Sequence, residues 1–172
     1  MKRGSLEAKI VVQKGQRIAV MNLSGSIGLP HGFHAHEFIE MLTGLGEYDV
    51  LYAVMDSPGG SPTDAWTIFN FLGQPLQKRS SSLILIIGEC SGDALLIALG
   101  FDQILMRPDA FMGFQPLKFR SLSATRRVTH LTARLVAARV NCQIDDVFAW
   151  IDKNKRFTAE ECLARSLCQA IV

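Results

Sequence analysis

By type and spacing, the residue best placed to do chemistry is Ser91. It follows an aliphatic run, Leu83 to Ile87, that ends at Gly88, and it precedes a second apolar run, Ala94 to Leu99, that begins after Asp93. The pattern predicts a buried strand, a sharp turn holding Glu89, Cys90, Ser91, Gly92 and Asp93, and a buried helix. A serine at such a turn presents its hydroxyl beside the first free N–H groups of the helix. Acyl transfer needs this combination of a nucleophile with oxyanion donors in the same turn. Taken alone, the pattern reads more simply as a glycine-bounded βα turn capped by serine or aspartate.

A second glycine-rich turn strengthens the chemical reading. Asp-Ser-Pro-Gly-Gly-Ser, Asp56 to Ser61, directly follows another apolar strand, Val50 to Met55. Adjacent glycines adopt positive φ and let backbone N–H groups come close to a ligand. Two such turns at the ends of neighbouring parallel strands would line one crevice at the carboxyl edge of the sheet.

In these segments the chain resembles the proteolytic subunit of the Clp protease, within the wider superfamily that includes the crotonases. Four stretches carry the resemblance in order: M-D-S-P-G-G-S-P-T-D-A-W-T-I-F-N-F-L from Met55, I-G-E-C-S-G-D-A-L-L-I-A-L-G from Ile87, R-P-D-A-F-M-G-F-Q-P from Arg107, and F-T-A-E-E-C-L-A-R-S-L from Phe157. It covers most of the chain from about Arg17 onward. The resemblance implies a serine-peptidase fold with Ser91 at the nucleophile position and Gly59, Gly60 and Gly92 around an oxyanion hole. It also implies assembly into a ring of identical subunits, with an active paralogue or an ATPase as further partners and a peptide or unfolded protein as substrate if active.

The same alignment shows where the chain departs from the family. Met112, Gly113, Phe114, Gln115 and Pro116 stand where the family has Met-Ile-His-Gln-Pro, so the base position is Phe114. The third triad position aligns with Asn154, with Asp152 one slip away. A serine without its base is a weak nucleophile. A noncatalytic or regulatory ring subunit is therefore the leading expectation. Phe114 would fill the space of the missing imidazole and leave an apolar pocket.

Two other activities stay open on the residues. A rewired serine endopeptidase would take its base from Lys118, four residues beyond Phe114, or from His130; both are otherwise read as ordinary helix or surface residues. A crotonase-type acyl-CoA enzyme would need Glu89 or Asp93 as its acid or base. Cys90 is intrinsically a better nucleophile than serine, but next to Glu89 it is read as core packing. His31, His34 and His36 lack the carboxylate or cysteine partners of a recognisable metal site, so neither a metal nor another cofactor is expected.

Repeated strand and helix patterns supply the frame. Short strands at Ile10–Val12 and Arg17–Leu23 flank a Lys14–Gly15 turn, and a helix is expected over Glu37–Leu45. Pro62 to Leu72 reads as a second helix with Trp66, Phe69 and Leu72 on its apolar face, and a strand follows at Gln103–Met106. Beyond Phe114 the pattern turns helical: Ala124–Val140 with Val128, Leu131, Leu135 and Val136, then Ile144–Asp152 and Ala159–Ser166. The fold class expected is α/β, with repeated β-β-α units, a parallel core sheet and a C-terminal helical segment. One domain over 1–172 accounts for the whole, with 1–16 as a flexible N-terminal segment and 124–140 as a handle-like helix.

Composition limits the partners. With 18 basic and 16 acidic residues the net charge is +2, too balanced for nucleic acid. The basic cluster of Lys118, Arg120, Arg126 and Arg127 is read as a solvated face. Four scattered cysteines, Cys90, Cys142, Cys162 and Cys168, form no CxxC and fit free thiols in a reducing compartment. The charged start, Met1 to Glu7, is not a signal peptide, and Glu89, Asp93 and three glycines break the apolar stretch from Leu83 to Gly100, so no membrane span and a cytoplasmic location are expected.

Overall fold

A computed structural model describes residues 4–28, 30–74, 80–116 and 122–172, with residues 122–124 described by their backbone alone. Lys118 and Arg120 lie outside the described residues. The chain forms a mixed α/β fold built on one sheet, whose neighbouring strands are in order Ser5–Gln13, Gln16–Ser24, Val50–Ser57, Ser81–Ser91, Gln103–Met106 and Ala170–Ile171. β1 (Ser5–Gln13) and β2 (Gln16–Ser24) make an antiparallel hairpin closed by Lys14 and Gly15, both at positive φ. Residues 1–16 were expected as a flexible segment, yet most of them are paired strand. β3 (Val50–Ser57), β4 (Ser81–Ser91) and β5 (Gln103–Met106) then add in parallel to β2.

Alternation along these strands fixes the core. Leu51, Ala53 and Met55 on β3 and Ile84 and Ile86 on β4 are fully buried, while their neighbours are half-buried. The helices α1 (Ala35–Gly44), α2 (Pro62–Leu72) and α3 (Asp93–Leu99) supply further core residues. α2 starts as its sequence dictates: Ser61 Oγ accepts the Asp64 N–H at 3.2 Å, and Pro62 occupies the first turn. Its buried face is Ala65, Ile68 and Leu72; Trp66 and Phe69, expected on that face, stack on each other at 5.4 Å at its margin.

The C-terminal part adds α4 (Leu122–Val140) and α5 (Ile144–Asp152), then β7 (Arg156–Thr158), α6 (Ala159–Ala164) and β8 (Ala170–Ile171). α4 was expected to bury Val128, Leu131, Leu135 and Val136. It buries Thr132, Ala133, Val136 and Ala137 and leaves Leu131 exposed, so its buried face is turned from the one expected. α6 carries a capping box in which Thr158 Oγ1 accepts the Glu161 N–H and Glu161 accepts the Thr158 N–H.

The consequential departure from expectation is in β4. The aliphatic run does not stop at Gly88; the strand continues to Ser91 past a register shift against β3. Asp56 Oδ1 takes the Glu89 N–H at 2.9 Å at this irregularity. β4 pairs with β5 over Leu83–Ile86, then with β6 (Phe111–Gly113) over Glu89–Ser91. β6 in turn pairs antiparallel with β7, with Gly113 opposite Arg156.

Candidate functional site

The two glycine turns meet, as their places after β3 and β4 require. A crevice of about 470 Å³ opens between them, lined by Ile27, Pro58, Gly59, Gly60, Gly92 and Asp93 together with Ser26, Ser61, Gln115 and Pro116. Ile27 stitches a third loop to the site, its N–H donating to Gly59 O at 3.1 Å and its carbonyl accepting the Ser61 N–H at 2.9 Å. Gly59 and Gly60 sit at φ 90° and 154°. A Cβ on Gly60 would strike the Ile27 backbone, and one on Gly59 would fall 2.7 Å from Ser91 O, so only glycine fits both.

Ser91 does not line this crevice. Its side chain is 0 % exposed, and its Oγ has no hydrogen-bond partner among the described residues. Ser91 is the last residue of β4 and pairs with Gly113 of β6, and its Oγ lies in the space a Gly113 Cβ would occupy. The backbone N–H groups expected to form an oxyanion hole each have an acceptor within the chain. Gly59 N–H donates to Ser57 Oγ at 3.2 Å, Gly60 N–H to Asp93 Oδ2 at 3.3 Å, and Gly92 N–H to Gly113 O at 3.0 Å.

Phe114, expected at the position of the family's base, is 1 % exposed. Its ring packs edge-on against Trp150 and Phe157 at centroid distances of 5.4 and 5.5 Å, and its N–H donates to Lys155 O. The apolar pocket expected beside it amounts to about 10 Å³, bounded by Leu95, Phe114, Val136, Val147 and Ile151, which is at the threshold of a single water. Asn154 is exposed at φ 47° in the turn between α5 and β7, and Asp152 is exposed at the end of α5. The β4, β6 and β7 ladder thus carries Ser91 at the end of β4, Phe114 just after β6 and Asn154 shortly before β7.

The other candidates are dispersed. His130 is exposed on α4, its ring 5.7 Å from Phe148, in a separate groove with Trp66, Arg126, Arg127 and Arg134. His34 caps α1, with its Nδ1 3.6 Å from Asp64 Oδ1 and its ring stacked on His36. Among the described residues no group of three or more His, Cys, Asp or Glu is placed to hold a metal, and no helix is long and apolar enough to cross a membrane. All four cysteines are free thiols. Cys90 is fully buried, with Sγ 3.6 Å from Met55 Sδ; burial above all, then Cys162 and Glu89, push its thiol far above the ordinary range, so it holds no thiolate.

Asp93 is the titratable residue among those that line the crevice. It is 7 % exposed, one carboxylate oxygen takes the Gly60 N–H, and the other, Oδ1, is buried without a partner among the described residues. Burial pushes its carboxyl from 3.8 up to about 6, against the lowering effect of the Gly60 N–H. The folded chain therefore holds this proton to higher pH than the unfolded chain. The stability it contributes is fully present below about pH 4 and lost as pH rises through about 6. Asp93→Asn cannot lose a proton, so its unfolding free energy relative to the wild type should rise by up to about 3 kcal/mol between about pH 4 and pH 8. Urea unfolding across that range measures it, and a flat difference would mean that Asp93 is solvated.

No family model matches the sequence, and no curated protein matches it. Among solved structures the chain is similar to a point mutant of ClpP1 from Listeria monocytogenes, with a TM-score of 0.75 and 13 % identity over 89 % of this chain and 90 % of that one. The fold is that of the Clp proteolytic subunit, as the four ordered motifs imply.

Proposed function

We propose that the chain is a noncatalytic, Clp-protease-like subunit that binds peptide segments in the crevice and assembles into a ring, alone or with an active paralogue or an ATPase. The observation that carries this reading is the seating of Ser91: a nucleophile position whose Oγ is fully buried against Gly113 and faces no base. Phe114 supports it, since a ring edge-packed between Trp150 and Phe157 serves as core where a peptidase needs an imidazole. The binding function has its own basis in the crevice, which both glycine turns build while the serine is withdrawn from it.

Ser91→Ala tests it. Removing a buried hydroxyl that makes no hydrogen bond leaves stability unchanged or raises it by about 1 kcal/mol, whereas a working nucleophile would be lost with its activity. Neither protein should cleave short fluorogenic peptides or an unfolded protein, and both should sediment as the same oligomer. Cleavage by the wild type that disappears in Ser91→Ala would overturn the proposal.

A further inference from the structure

We propose that the crevice selects a primary ammonium group, such as the side chain of a lysine in a bound peptide, and that Asp93 is the residue that selects it. The inference rests on the reading of the crevice as a peptide-binding site and names what that site prefers. Asp93 is 7 % exposed at the crevice wall, and its Oδ1 is buried and unpartnered among the described residues. Among the same residues it ion-pairs with no Lys, Arg or His. A carboxylate oxygen removed from water and left without a donor is costly, and the ligand that offsets most of that cost is a cation with its own N–H.

The geometry also says which cation. Oδ2 is already held by the Gly60 N–H at 3.3 Å, so only Oδ1 is left without a donor among the described residues. A guanidinium realises its strength as a two-pronged fork against both oxygens, whereas an ammonium is a point charge that one oxygen serves. Ile27, Pro58 and Pro116 supply apolar walls for the methylene stem, and about 470 Å³ accommodates a lysine side chain.

Binding by the full chain is measured for four fluorescent peptides that are identical except for lysine, acetyl-lysine, norleucine or arginine at one position. The lysine peptide should bind about tenfold more tightly than the acetyl-lysine and norleucine peptides and severalfold more tightly than the arginine peptide. Asp93→Asn should erase these differences, so that the lysine, acetyl-lysine, norleucine and arginine peptides bind it with similar affinity. n-Butylamine, a probe that needs no peptide site, should raise the thermal midpoint of the wild type but not of Asp93→Asn. Equal affinity for lysine and norleucine peptides, or a preference that survives in Asp93→Asn, overturns ammonium selection while the peptide-binding reading stands. An Asp93-dependent butylamine shift with no peptide bound would instead overturn the peptide reading and keep the ammonium site. No response to either probe overturns both.

Discussion

Replacing Phe114 by alanine is expected to destabilise the chain by about 4 kcal/mol, the cost of emptying a fully buried aromatic site. Phe114, Trp150 and Phe157 form a closed triangle, with Trp150 and Phe157 centroids 5.1 Å apart and all three contacts edge-on. Loss of one ring strips the other two of their packing partner and loosens α5 and β7, which carry them. Phe114→His puts the family's residue type back and tests the same point from the chemical side. It should cost about 2 kcal/mol or more, because the imidazole would meet rings rather than hydrogen-bond partners, and it should create no peptidase activity. Urea unfolding measures both variants. A loss below about 1 kcal/mol for Phe114→Ala would mean that the base position is open space, and activity in Phe114→His would mean that Ser91 is within its reach.

Gly113→Ala should cost about 3 kcal/mol by overpacking. The added Cβ would fall on Ser91 Oγ and 2.9 Å from Ser91 Cβ, between two strands that are hydrogen-bonded through Gly92 N–H and Gly113 O. The expected cure is specific. Adding Ser91→Gly removes both clashing atoms, so the double variant should be more stable than the sum of the single changes predicts by about 2 kcal/mol. Additive behaviour would place the Ser91 hydroxyl away from β6 and remove the basis for a noncatalytic chain.

The core strands and helices were legible because their patterns are long enough to show a period. Pro62–Leu72 was recognisable end to end from its cap, its proline and its apolar spacing. β6, β7 and β8, at three, three and two residues, are too short to show one, and their pairing depends on residues far away in the chain. That gap produced the main surprise at the site. Gly88 looked like the end of a strand because nothing local reveals that Asp56 will hold the Glu89 N–H and that β6 will offer Ser91 a ladder. Once the strand extends, Ser91 is paired with Gly113 and buried outside the crevice, and the chain turns at Gly92, at φ 55°, to place Asp93, the first residue of α3, at the crevice wall. Asp93 was visible in the sequence as an acid or base for acyl-CoA chemistry, but the contact with Gly60 that gives it a place depends on the meeting of two turns.

The forked pairing of β4 has a consequence for how motion exposes the molecule. Its first half lies between β3 and β5, whereas Glu89–Ser91 are held on one side by a ladder of three residues that continues only into β7. Short ladders open in sub-global fluctuations well below the free energy of complete unfolding. The Ser91 hydroxyl, fully buried in the folded chain, is therefore expected to meet solvent through local opening of β6 and β7 rather than only through unfolding of the whole sheet. A reagent slow enough to wait for that opening will find it, so the rate at which Ser91 is modified carries information that the bare fact of modification does not.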